Sequence, residues 1–153
     1  MKRQGNRVTF LVVDDDDVAI MGMQRAIRKL DLANPVEIAR NGEEALERLR
    51  AQDGVARPYI VTLDLNMPRM GGLEFLGAVR DDERLQDAII FVVTTSDAPT
   101  DIAAAYAQNI AGYIVKDNAY ETLKSALGLL RAYTNVVRLP EASPSAMLEL
   151  RMI

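Results

Sequence analysis

Apolar residues gather along this chain in five short runs, each followed by a turn and then by residues at helical spacing. Val8 to Val13 is the first run, and it ends directly on Asp14-Asp15-Asp16-Asp17. Pro35 to Ala39, Tyr59 to Leu63, Ala88 to Thr94 and Gly112 to Lys116 are the others. Runs rich in β-branched and apolar residues, without alternation, predict strands covered on both faces. Between them, Ile20, Met23, Ile27 and Leu30 mark one amphipathic helix, and Ala45, Leu46 and Leu49 mark a second. Leu73, Phe75, Leu76 and Val79 predict a third, ending near the charged run Arg80 to Glu83. The fourth, about Thr100 to Gln108, is alanine-rich and weakly amphipathic; the fifth runs through Leu123, Ala126, Leu127, Leu130 and Tyr133. Asn41 with Glu44 and Asn118 with Glu121 resemble capping boxes at two helix starts.

Strands alternating with helices predict a parallel sheet covered on both sides. Right-handed crossovers then bring every strand's carboxyl end to one rim. The pattern predicts one domain over residues 7–134. Residues 135–153 read as a C-terminal arm, with Pro140 and Pro144, little early periodicity and an apolar finish at Met147, Leu148, Leu150, Met152 and Ile153.

Composition narrows the chemistry. The 153 residues are 49% hydrophobic and 26% charged, as in a soluble globular domain. A net charge of −4 argues against a general nucleic-acid surface. The absence of cysteine removes disulfides, thiol catalysis and most structural zinc sites. The first apolar run is too short and too acidic at its end for a leader peptide or a membrane span. A cytoplasmic protein is the expectation.

The rim holds the informative residues. Strands one, three, four and five end at Asp14-Asp15, Asp64, Thr94 and Lys116. Carboxylates crowded together repel one another unless a cation joins them. A hard, oxygen-lined site with few protein ligands suits Mg²⁺. Lysine supplies a mobile point charge for phosphate, and a threonine hydroxyl can donate to a phosphoryl oxygen. The set fits phosphoryl transfer onto a carboxylate. Asp16 and Asp17 read more simply as a solvated helix start. Thr94 also has a plainer reading, as a strand-end residue bonding backbone, and Tyr113 as edge packing.

With these motifs in order at the ends of the right strands, residues 7–134 resemble the receiver domain of two-component response regulators. The resemblance implies a flavodoxin-like, doubly wound five-stranded sheet in the order 2-1-3-4-5. It implies that Asp64 accepts a phosphoryl group from a histidine kinase. Asp14 and Asp15 would hold Mg²⁺ with Asp64 and the backbone carbonyl of Asn66, and Lys116 would pair with the phosphoryl group. Thr94 and Tyr113 would form the switch, and Asn66 and Ser96 resemble positions that tune phosphate lifetime. Asp117 stands where the family usually has proline, and Gly71 where it commonly has aspartate. Thr94-Thr-Ser96, the missing proline and Ala132 to Pro140 further resemble the small regulators that partner bacterial phytochrome kinases. These tend to dimerise through the C-terminal helix and arm.

Three functions therefore compete. One is a phosphorylation switch without its own effector domain, acting by protein–protein contact rather than as an enzyme. Another is a Mg²⁺-dependent phosphohydrolase, opposed by Asn66 where a second acid would be needed. The last is a phosphate-independent binding module. A dinucleotide site is excluded by aspartates in place of a glycine-rich first turn.

Overall fold

The computed structural model describes residues 7–30, 32–116 and 119–151. Five strands, β1 (Thr9–Val13), β2 (Val36–Ala39), β3 (Tyr59–Leu63), β4 (Ile89–Thr94) and β5 (Gly112–Val115), alternate with α1 (Asp17–Lys29), α2 (Gly42–Arg50), α3 (Gly72–Asp81), α4 (Pro99–Ala107) and α5 (Ala119–Val136). A further helix, α6 (Pro144–Arg151), follows. All strand pairings are parallel and the order is β2-β1-β3-β4-β5, the flavodoxin-like arrangement expected.

The pleat sorts the core. Leu11, Val13, Val61, Leu63, Ile90 and Val92 point to one face, where α2, α3 and α4 cover them. Phe10, Val12, Ile60 and Phe91 point to the other, under Met23 and Ile27 of α1 and Leu127 and Leu130 of α5. The three central strands are therefore buried on both faces, and their runs are apolar apart from the threonines Thr9, Thr62 and Thr94.

Local chemistry fixes the helix starts. Asp16 caps α1 by accepting from the Val18 N–H at 3.0 Å, the structural role expected for it. Asp17 makes an ion pair with Arg40. At α2 the Asn41 side chain accepts from the Glu44 N–H at 2.9 Å. The Glu44 carboxylate returns to the Arg40 N–H rather than to that of Asn41, so the box is displaced by one residue. Gly71 caps α3 without a side-chain hydrogen bond, where an aspartate could supply one. The cap expected at Asn118, and Asp117 beside it, lie outside the described residues, as do Met152 and Ile153.

The arm begins on the domain itself. Leu139 is buried in the core beneath α1 and α5, Val137 packs against it, and Arg7 donates to Glu141 at 2.8 Å. The sequence reading did not contain α6. Its start is nevertheless encoded: the Ser143 hydroxyl accepts from the Ala146 N–H, and Pro144 occupies the first helical position.

A single side chain ties two loops together on the α3–α4 side. The Arg80 guanidinium donates to the carbonyls of Gln108, Gln86, Ala88 and Asn109 at 2.7–3.0 Å. Burial pulls its pKa below the usual arginine range, though a guanidinium remains charged throughout the working pH range. Arg80→Met should therefore cost about 2–3 kcal/mol, because it strands several carbonyls at once. Urea denaturation would measure the loss, with Arg80→Lys recovering only part of it.

Candidate functional site

The strand ends build the site. The β1·β3 register pairs Val13 with Leu63, so the next residues, Asp14 and Asp64, emerge side by side. The Asp64 N–H donates to the Val13 carbonyl at 2.9 Å, which fixes that neighbourhood through backbone alone. The β4·β5 register pairs Thr94 with Val115, and the Lys116 N–H donates to the Thr94 carbonyl at 2.7 Å. Five of the residues singled out from the sequence thus meet: Asp14, Asp15, Asp64, Thr94 and Lys116.

Asp14, Asp15 and Asp64 each offer a carboxylate oxygen, and these lie within 4.8 Å of one another. Asp14 is only 6% exposed, Asp64 is half-buried and Asp15 faces solvent. A small hard cation fits such a donor set, because it needs few protein oxygens and keeps its own waters on the open side. The same three groups offer no nitrogen or sulfur ligand to a softer metal.

Both Asp14 oxygens and one Asp64 oxygen already have partners. Asp14 Oδ1 accepts from the Asp16 N–H at 3.0 Å, and Asp14 Oδ2 accepts from Lys116 Nζ at 2.9 Å. Both side chains of that ion pair are largely removed from water, so it is screened less than a surface pair. Asp64 Oδ1 accepts from the Thr94 hydroxyl at 2.7 Å and from the Asn66 N–H at 3.3 Å. Burial pushes the Asp64 carboxyl above the ordinary aspartate range. The Thr94 hydrogen bond opposes that rise, the Asp14 charge adds to it, and Lys116 and the Asn66 N–H draw it back. A desolvated carboxylate with one oxygen held and a lysine nearby is a suitable nucleophile for a phosphoryl centre.

The loop after Asp64 must pass close to α3. A Cβ on Gly72 would stand 2.7 Å from the Asp64 carbonyl oxygen and from the Leu65 Cα. Glycine at that helix start lets the loop approach closely. Asn66 joins the site through its N–H, which steadies Asp64.

Tyr113 and Ser96 lie apart from the carboxylates. The Tyr113 hydroxyl donates to the Ser96 carbonyl at 2.8 Å, which fastens β5 to the loop before α4. The Ser96 hydroxyl pairs with Asp101 in the first turn of α4. Thr62, two residues before Asp64 on β3, is buried, and its hydroxyl has no partner among the described residues. A threonine in a β-rich run gives no sign of a polar role.

Comparison with known proteins agrees with this geometry. The sequence pattern described as the response regulator receiver domain matches residues 10–128. The probable methanogenesis regulatory protein FilR2 of Methanothrix harundinacea is 33% identical over 126 residues, which span 81% of each chain. The phosphorylated cyanobacterial phytochrome response regulator RcpA has a similar structure, with a TM-score of 0.78 and 28% identity over 88% of this chain and 99% of that one. The Mn²⁺-bound form of Rcp1, from Synechocystis, gives a TM-score of 0.77 and 27% identity over 87% and 99%. With a match over most of its length, and with the predicted strand order in place, the chain belongs to the response regulator receiver domain family.

Proposed function

We propose that the chain is a signalling switch that accepts a phosphoryl group on Asp64 from a sensor histidine kinase. The observation that carries this reading is the cluster of Asp14, Asp15 and Asp64, with the Thr94 hydroxyl and Lys116 aimed into it. An Asp64 oxygen attacks the phosphorus of a phosphohistidine. The new P–O bond forms as the P–N bond breaks, and the imidazole nitrogen leaves with the electron pair. Asp14 and Asp15, with Asp64 and the Asn66 carbonyl, would hold Mg²⁺, which offsets charge between carboxylate and phosphoryl oxygens. Lys116 exchanges Asp14 for the phosphoryl group. Thr94 keeps its hydroxyl on the same centre, and Tyr113 reports the change to the surface formed by α4, β5 and α5. Only acceptance and hydrolysis of this phosphate are expected, not turnover of a metabolite.

The likeness to the phytochrome response regulator RcpA favours a phytochrome-type kinase as the donor. A cytoplasmic protein acting through protein contacts follows from that role, and among the described residues no helix is long and apolar enough to cross a membrane. A homodimer through the C-terminal helix and arm, residues 135–153 included, is supported by apolar side chains left in water. Leu129 and Val136 of α5 are 53% and 81% exposed, and Met147 of α6 is 51% exposed. A phosphate-independent binding module remains the second reading. It is favoured by the Thr94–Asp64 and Tyr113–Ser96 hydrogen bonds, which tie those side chains within the fold.

Intact mass after incubation with acetyl phosphate and Mg²⁺ should show one added phosphate on the native chain and none on Asp64→Asn. Uptake by the variant would mean another acceptor. No uptake by the native chain, even with a phytochrome-type kinase, would leave the binding-module reading.

The same variant should be more stable than the native chain in EDTA at pH 7. Because the folded state raises the Asp64 pKa, ionisation costs stability as pH rises from the unfolded carboxyl value through the folded one. The advantage should therefore shrink as the pH is lowered through that window. Thermal melts across pH 3–7 give the comparison.

Lys116→Ala frees Asp14 Oδ2, so Mg²⁺ should bind at least as tightly while the response to phosphate is lost. Calorimetry and the change in amide spectra on phosphorylation test the two halves. Leu129→Glu with Val136→Glu should shift a dimer toward monomer in sedimentation. An unchanged mass would place the interface elsewhere.

A further inference from the structure

The turn between β2 and α2 touches both loops that carry the carboxylates. The Ala39 carbonyl, at the end of β2, accepts from the Asp14 N–H at 3.0 Å. The Arg40 guanidinium pairs with Asp17, in the first turn of α1. Gly42 then donates its N–H to the Met70 carbonyl at 3.1 Å, in the loop that runs from Asp64 to α3. Residues 39–42 thus bridge from the loop of Asp14 and Asp15 to the loop of Asp64 and Asn66.

The bond to Met70 is the closely fitted one. The first amides of a helix have no acceptor within it. In α2 the Asn41 side chain serves the Glu44 N–H, and Met70 serves the Gly42 N–H. The backbone turns at Arg69, whose φ of 62° is left-handed, immediately before Met70. Gly42 is buried beneath it. A Cβ on Gly42 would stand 2.7 Å from Met70 Cγ, 2.9 Å from Sδ and 3.0 Å from Cβ. At its base the same loop is closed by the Gly72 N–H, which donates to the Leu65 carbonyl at 3.0 Å. Asn66 therefore lies in a loop pinned at α3 and again at α2.

Such pinning matters to one cation more than to another. Mg²⁺ takes oxygens at about 2.0–2.1 Å and demands a near-ideal octahedron, whereas Ca²⁺ accepts about 2.3–2.6 Å in a flexible shell. The strand pairing fixes Val13 beside Leu63, but Asp15 and Asn66 lie beyond the last paired residues. Their separation depends on how the two loops are held. We propose that Gly42 and Met70 are positioning residues, and that the β2–α2 turn sets the spacing of the metal donors and with it a preference for Mg²⁺ over Ca²⁺. This role rests on the metal-binding reading of the carboxylate cluster. Gly42 holds Met70, and Met70 holds the loop of Asn66.

The test compares Mg²⁺ and Ca²⁺ titrations, followed by amide NMR, of the native chain, Gly42→Ala, Met70→Ala and the double variant. The added Cβ of Gly42→Ala should push Met70 away and weaken Mg²⁺ binding about five-fold or more, with a smaller loss for Ca²⁺. Met70→Ala opens a gap in place of a clash and should lower the Mg²⁺ preference about two-fold, which keeps the test decisive if Gly42→Ala does not fold. In the double variant the new Cβ enters the space that Cγ and Sδ vacate, so most of the Mg²⁺ preference should return. A purely structural role would leave the ratio of the two affinities unchanged in every variant, and that result overturns the assignment. So does a double variant no better than the worse single one. A native chain that binds neither ion would instead remove the metal-binding reading, and this role with it.

Discussion

Like charges gathered at the end of an apolar sheet are the constraint around which this molecule is arranged. Three carboxylates stand within 4.8 Å of one another, and one of them is almost wholly out of water. Such a group is unfavourable in isolation. It persists because the strands that carry it are held by a continuous ladder of parallel pairings, and because Lys116, the Asp16 N–H and the Thr94 hydroxyl each take up part of the charge. Stability elsewhere thus maintains a locally costly arrangement, as functional sites commonly do. A divalent cation or a phosphoryl group alters the balance at the same few atoms.

How far this was legible in the sequence depends on whether a feature is local. Uninterrupted apolar runs revealed the strands, since burial on both faces leaves no alternation to misread. Residues placed immediately after those runs revealed the site, because parallel topology forces all the strand ends to one rim. Asp16 was legible as a cap for the same reason: its partner is two residues away. Features that depend on distant partners were not. Arg80 looked like part of a charged run, yet its guanidinium serves four carbonyls from two loops. Thr62 looked like a β-former, and only its burial without a partner makes its hydroxyl conspicuous. In α6 the local signal was present, since Ser143-Pro144 is a helix start, but the prolines read more strongly as breaks.

The two sides of the sheet are unequal around Asp64. On the α1 and α5 side the space near the rim is open, bounded by small side chains. On the other side α4 contacts the domain through few groups. Ala105 is its one fully buried described residue, and Ala98 caps it without a side-chain bond. Its ends are also held differently. Arg80 grips the carbonyls of Gln108 and Asn109 just past its last turn. Its first turn is tied through Ser96 to Asp101 and Tyr113, hydrogen bonds that water can replace at modest cost.

That asymmetry determines where a charge change at Asp64 is most readily absorbed. Thr94 lies in β4, is fully buried and is bonded directly to Asp64; two residues later the chain is the loop that Tyr113 holds. The strand itself cannot shift without breaking ladders on both sides. The end of α4 near Arg80 would have to give up several charge-assisted hydrogen bonds together. The loop from Thr95 to Ala98 and the start of α4 carry light restraints, and Tyr113 ties them to β5. A rearrangement there changes the apolar surface available to another protein while the core beneath stays packed. Coupling a buried carboxylate to a surface in this way would require no movement of the sheet.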